Sequence, residues 1–346
     1  MIKIKLYELD KHRNECTFRP YLYAAESLRE VGIEFTEGDS YDYAWVAQAS
    51  FMNKKVSLEQ SVDDGLEFLS KITGDYMLID GQDSTSLMGS YEVFTQSDAL
   101  LLLKNSLLRD RTLYKTGWNL GRNYWGIGDY KLPDFDKYSD QIVLSGTNWL
   151  LTHWAGTNGT PWSEIKRHRP YDVSAMFQYP SLSESYEHGQ LQNVFYDNFR
   201  KPSIDIINQL PYKVAKLEAG VRVSQQEYYN RMYNSKIIFA PYGYGEMAPR
   251  DLEAAYFGAV LIKPDMSHIQ TLPDIFTDET YVACKHDFSD LREKIDMILG
   301  DYDKYTYIVE RARQRIHTAM DPDMVAWTIY KLFKQLPNVT EVSTNS

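Results

Sequence analysis

Arg250 and Glu253 stand three positions apart in the stretch SKIIFAPYGYGEMAPRDLEAAYFGAVLIKPD, residues 235–265. On a helix that spacing puts a guanidinium and a carboxylate on one face, one turn apart. A guanidinium can grip a diphosphate with two charge-assisted hydrogen bonds. A carboxylate can accept hydrogen bonds from two ribose hydroxyls. Glu246, just upstream, is a third charged candidate. The plainer alternative is a stable strand–helix–strand unit whose Glu and Arg lie on the surface. Asp251 and Glu253 also suit a helix N-terminus and would repel an anion there.

The elements that must position these residues are legible. Ile237–Ala240 is an apolar run of strand length, and Ala259–Ile262 is a second. Between them lies a loop with Gly243, Tyr244 and Gly245, then a helix over Pro249–Phe257. Pro249 suits the first helical position and Gly258 the C-terminal cap. Ala248 is a poor N-cap, so the first N–H groups are open to an anion unless Glu246 reaches them. The pattern is that of a parallel α/β sheet, whose ligands bind where strands end and helices begin.

The same stretch resembles the donor-binding half of GT-B glycosyltransferases, near the exostosin-like and group 1 C-terminal domains. The resemblance rests on Ser235, Pro241 with Gly243, Arg250, Glu253-Ala254, Gly258 and Asp265. It covers roughly residues 224–299 and is topological elsewhere. It implies a GT-B fold: α/β, with two Rossmann-like doubly wound domains facing a central cleft. It also implies that Arg250 holds the diphosphate of a nucleotide-sugar and that Glu253 holds the ribose. Arg222, Gly243, Tyr244, Gly245 and Glu246 complete the expected donor site. The family pattern carries Ser or Thr close before the arginine, where this chain has Ala248-Pro249, and group 1 glutamates eight apart, where Glu246 and Glu253 are seven apart.

Composition narrows the classes. A chain of 346 residues fits two domains. A net charge of −11 opposes a phosphate-tracking nucleic-acid surface. It disfavours a phage-type DNA glucosyltransferase for the same reason. Two cysteines, Cys16 and Cys284, make neither a disulfide framework nor a zinc spacing, so a cytoplasmic setting is expected. No apolar run is long enough to span a membrane. The 27 tyrosines and 7 tryptophans suit sugar stacking and equally suit ordinary cores.

Along the chain, strands are expected at 2–9, 43–48, 76–80 and 91–95, with helices at 18–31, 57–71 and 98–108. Ser57/Gln60 and Ser224/Glu227 read as capping boxes. Residues 110–165, rich in Gly, Trp, Tyr and Asn, read as long functional loops. The expected domains are an acceptor-side domain at 1–165, a nucleotide-sugar-binding domain at 166–336 and a flexible tail at 337–346. The final helices are expected, by resemblance, to pack back onto the first domain.

For a general base the first domain's strand ends are the place to look. His12 follows the first strand and titrates near neutrality. Asp83 follows the third, where Asp80 is the alternative that orients the loop. Each is equally readable as a surface loop residue. His153 lines either a cleft or a core. Two Asp-x-Asp triplets, Asp134/Asp136 and Asp321/Asp323, follow no apolar strand, so no essential metal and no cofactor are expected, and the resemblance implies that Arg250 is the catalytic stabiliser of the leaving diphosphate. The expected function is metal-independent transfer of a hexosyl or pentosyl group from a nucleotide-sugar to a glycan, glycoconjugate or other hydroxyl acceptor. The alternatives are a GT-B-fold sugar-nucleotide epimerase and a non-catalytic carbohydrate-binding protein.

Overall fold

The structure, a computed structural model, describes residues 1–7, 11–52, 56–117, 131–132, 134–146, 165–166, 168–177, 200–243 and 245–336, leaving out the side chains of residues 11–16 and 49. The chain forms two compact units. The first comprises residues 1–159, 269–273 and 317–346, and the second residues 160–268 and 274–316.

The first unit is built on β1 (Ile2–Tyr7), β2 (Ile33–Thr36), β3 (Tyr43–Ala47), β4 (Asp75–Asp80), β5 (Leu102–Lys104), β6 (Ser106–Leu108) and β7 (Ile142–Leu144). Six of these make one sheet in the order β2-β1-β3-β4-β5-β7, every pairing parallel. Parallel strands buried on both faces read as continuous apolar runs, and β3 and β4 are buried almost end to end. Side-chain alternation divides them between two cores. Ala44, Val46, Leu78 and Leu102 face the helices Leu58–Leu69 and Ser90–Thr95. Trp45, Met77, Ile79 and Leu103 face the other side, where Phe333 stacks on Trp45 at 6.2 Å. Phe333 belongs to the helix Pro322–Lys334, so the last helix shares the first unit's core.

The second unit carries β8 (Tyr171–Ala175), β9 (Val214–Lys216), β10 (Ser235–Phe239) and β11 (Val260–Pro264). The chain then enters the first unit as β12 (Ile269–Thr271), which pairs antiparallel with β6, and returns as β13 (Val282–Cys284). The second sheet runs β13-β11-β10-β8-β9, again parallel throughout. The fold class is therefore α/β with two Rossmann-like parallel sheets.

Two expected elements differ. Residues 98–108, expected as a helix, form β5 and β6. Leucine favours helix by only a few tenths of a kcal/mol, whereas β5 is buried between β4 and β7 and gains two ladders of hydrogen bonds. Residues 91–95, expected as a strand, lie in the helix Ser90–Thr95. Gly89 enters it at φ 86°, and the Glu92 carboxylate accepts the Gly89 N–H at 2.6 Å. Ser57 and Ser224 do cap their helices, accepting from Gln60 N and Glu227 N. The reciprocal halves do not form, because Gln60 turns to Asp64 and Glu227 to Arg231.

Candidate functional site

The second sheet reverses its direction of growth once. From β8 the chain steps outward to edge strand β9, then crosses to place β10 on the other flank of β8. Parallel sheets bind ligands in the crevice beyond the strand C-termini at such a switch point. The segments leaving β8 and β10 there are Met176-Phe177 and Ala240–Gly243.

Two arginines converge on this place. The Arg200 guanidinium lies 5.8 Å from the centre of the Phe177 ring and the Arg250 guanidinium 6.0 Å from it. Arg200 is 8% exposed and its Nε donates to the Tyr242 carbonyl at 3.3 Å. Arg250 stands at the second position of the helix Pro249–Phe257, and its buried Nε has no hydrogen-bond partner among the described residues. Gly243 permits the close approach, since a Cβ there would meet Arg200 Nη2 at 3.3 Å. Gly243→Ala is therefore expected to displace the Arg200 tip by a few tenths of an ångström. Thermal melting should change little while phosphate-ligand affinity falls a few-fold. A titration showing unchanged affinity would leave the glycine without that role.

The helix carrying Arg250 is fixed at both ends. At its start Asp251 accepts the Ala248 N–H on Oδ2 at 2.8 Å, and its Oδ1 lies 3.0 Å from the Lys263 ammonium. Both side chains are at most 1% exposed. Burial pushes the Asp251 carboxyl up, with Lys263 pulling the other way. The charge that would have repelled an anion is thus matched by a buried cation. At the helix end Arg313 Nε donates to the Ala255 carbonyl at 2.7 Å, and Arg169 Nη2 to those of Phe257 and Gly258, each at 2.8 Å. Gly258 takes the left-handed conformation, φ 72°, expected of a C-cap glycine.

Glu253 is one turn beyond Arg250 and 4% exposed. Tyr228, on the helix Gln225–Tyr233, donates its hydroxyl to Glu253 Oε2 at 2.6 Å. Burial pushes the Glu253 carboxyl up to about 7, against the pull of Tyr228 and Arg250. Glu246 is fully buried in the loop before the helix. Its charge acts on His268, whose imidazole is driven down mainly by burial. Beyond β11 the Tyr242 hydroxyl donates to the Asp265 carbonyl at 2.6 Å, with His286 Nε2 at 3.1 Å from both oxygens.

The expected site residues fall into three groups. Gly243, Gly245 and Glu246 lie in the loop between β10 and the helix Pro249–Phe257, and Arg250 and Glu253 lie on that helix. The Gly243 N–H donates to the Gly245 carbonyl at 3.0 Å inside this loop. Arg222 is exposed, two residues before the Ser224 cap. Tyr244 and His153 lie outside the described residues. In the first unit His12 lies in the first turn of the helix Lys11–Tyr23 rather than in a loop, and its side chain is outside the description. Asp83 is half-buried after β4. Asp80 holds that loop: its carboxylate accepts from Gln82 N at 2.9 Å and Ser90 Oγ at 2.7 Å and pairs with Lys104 at 3.1 Å. Both Asp-x-Asp triplets have structural partners. Asp136 pairs with Lys115, while Asp321 caps the last helix and Asp323 accepts from Ser27.

Arg200, Phe177 and Tyr228 were missed. Arg200 stands fifty positions before Arg250, and sequence carries no sign that the two share a ring. Its one local signal is Pro202, which sits just inside the start of the helix Lys201–Asn208.

Among the described residues no helix is long and apolar enough to cross a membrane. No curated protein matches the chain. Solved structures of similar fold include HepE of Anabaena in complex with UDP-glucose, 9% identical, covering 97% of this chain and 100% of that one with a TM-score of 0.46. Sucrose-phosphate synthase of Thermosynechococcus elongatus is 11% identical, with 97% and 99% covered and a TM-score of 0.48. A glycosyltransferase of Rickettsia africae is 12% identical, with 98% and 99% covered and a TM-score of 0.42. The family profile described as glycosyl transferase-like matches residues 194–330, which hold Arg200, Tyr228, Arg250 and Glu253. That stretch, which supplies the charged groups of the switch-point site, is what the chain shares with the glycosyl transferase-like profile.

Proposed function

We propose that the chain is a glycosyltransferase that takes a sugar from a nucleotide-activated donor and passes it to a glycan or another hydroxyl acceptor. The observation that carries this is the convergence of Arg200 and Arg250 on one ring at the sheet's switch point, with Glu253 a turn further on. Two guanidinium groups over an aromatic floor suit a diphosphate, and a buried carboxylate suits a ribose diol.

Glycosyl transfer builds negative charge on the leaving diphosphate as the bond to the sugar breaks. Preformed cations aimed at that charge stabilise the transition state more than the ground state. Arg250 and Arg200 fill this role, and in this reading the reaction needs no metal. The sugar is a hexose or pentose. His12 and Asp83 remain the candidates to take the acceptor's proton, and Arg222 an outer contact to the donor. The aqueous cytoplasm is the setting in which nucleotide-sugars would reach the site.

The test is a thermal-shift and calorimetric panel of UDP, GDP, ADP and their glucose conjugates on wild type and the Arg250→Ala/Glu253→Ala double variant. At about 100 times its dissociation constant a ligand adds roughly 2.7 kcal/mol of stability. The expected result is a shift with one base class that disappears in the double variant. A folded wild type that responds to none of these ligands would rule the transferase reading out.

A further inference from the structure

Glu253 does not face its site alone. Tyr228 approaches from the neighbouring helix and donates to one carboxylate oxygen, Oε2, at 2.6 Å. The tyrosine packs its ring on Tyr229, which in turn packs on Phe257 of the Glu253 helix. Burial, with the Glu253 charge beside it, lifts the Tyr228 hydroxyl well above its ordinary range, so it remains a permanent donor. Arg250 acts on both groups from the preceding turn. Among the described residues the charged and titratable groups acting on or beside Glu253 are therefore Tyr228 and Tyr229 from one helix and Arg250 and Asp251 on its own. Of these, Tyr228 is the one hydrogen-bonded directly to the carboxylate.

We infer that Tyr228 is a positioning residue for Glu253: it holds the carboxylate in its ionised form and occupies Oε2, so that Oε1 is the oxygen turned over to a ligand hydroxyl. The inference rests on the proposed nucleotide-sugar reading for the identity of the ligand, and on geometry alone for the Tyr228–Glu253 coupling. A buried carboxyl without a donor stays protonated at neutral pH and becomes a poor acceptor. With the tyrosine donor in place, ionisation falls in the range where the molecule works. Selectivity follows as well. With one oxygen engaged inside the protein, recognition of a ribose is directional and depends on a hydroxyl at the carbon facing Oε1.

The experiment separates the coupling from the function. Side-chain carbon NMR of selectively labelled wild type, Tyr228→Phe and Tyr228→Met follows the Glu253 carboxyl through pH 5–9 without any ligand, with Glu253→Gln assigning the signal. Losing a hydrogen bond to the charged form is expected to raise the midpoint by about one pH unit in both variants. Affinity for UDP, GDP and ADP, measured in parallel, is expected to fall off at correspondingly higher pH in the variants, and to lose its pH dependence with the 2′,3′-dideoxy nucleotides. A merely structural tyrosine would change the melting temperature and leave the midpoint in place. Unmoved midpoints in two folded variants would overturn the inference. A moved midpoint in a protein that binds no nucleotide would uphold the coupling and remove the transferase reading instead.

Discussion

Replacing Arg169 by methionine is expected to destabilise the second unit by about 3 kcal/mol, the loss of four hydrogen bonds from a charged donor offset in part by removing a charge that burial disfavours. The residue is 8% exposed, and its two terminal nitrogens donate to four main-chain carbonyls: Tyr233 at 2.9 Å, Ser235 at 2.7 Å, and Phe257 and Gly258 at 2.8 Å. Those carbonyls close the Tyr228 helix, open β10 and end the Arg250 helix. A helix leaves its last four carbonyls without intrahelical partners, and a buried unsatisfied carbonyl costs about 1–3 kcal/mol. Methionine fills the volume and satisfies none of them. Lysine offers one point charge in place of a planar fork and should recover only part of the loss. Because two units need not unfold together, the measurement is hydrogen exchange of amides in β10 and the helix Pro249–Phe257, with denaturant unfolding beside it. A loss below about 1 kcal/mol would mean that water replaces the guanidinium, and the clamp would then hold nothing together. Nucleotide affinity should fall with stability, because one guanidinium ties the helix of Glu253 to the helix of Tyr228.

This clamp marks the limit of what could be read from the chain. The strand–loop–helix–strand unit around residues 235–265 was legible because its signals are local. Two apolar runs have strand length, Pro249 opens the helix and Gly258 closes it. The structure places that helix over Pro249–Phe257 and the flanking strands within two residues of expectation. Arg250 and Glu253 were legible for the same reason, since helical spacing alone sets them on neighbouring turns. Local signal failed where packing decides. Leu102 and Leu103 have the composition of a helix and the environment of a central strand, and Tyr91–Thr95 the reverse. Non-local partners were out of reach. Arg200 meets Phe177 across a sheet crossover, Tyr228 reaches Glu253 from another helix, and Lys263 neutralises Asp251 from β11. The objection that Asp251 would repel an anion was sound for an isolated helix. It is answered by a lysine twelve positions away that sequence gave no reason to place there.

Glu253→Gln is expected to make the protein more stable and a worse binder at once. In an unfolded chain this carboxyl titrates near 4.5, and in the folded protein burial moves it to about 7. Between these values the folded state holds more protons than the unfolded state. Stability therefore falls as pH rises through that window, and stays at its lower level above pH 7. The full difference is about 3 kcal/mol. Glutamine keeps a carbonyl for Tyr228 and carries no charge to desolvate. Unfolding by denaturant at pH 8 should show the variant ahead by about 2–3 kcal/mol, and the gap should close towards pH 5. Nucleotide affinity at pH 8 should drop about tenfold or more, since a neutral carbonyl is a weaker acceptor than a carboxylate and its amide nitrogen sits beside Arg250. A variant less stable than wild type at every pH would show that the carboxylate contributes to the fold. The opposite result, stability gained and binding lost, is what separates a functional charge from a structural one. That outcome would assign the ionised oxygen of Glu253 to binding rather than to folding.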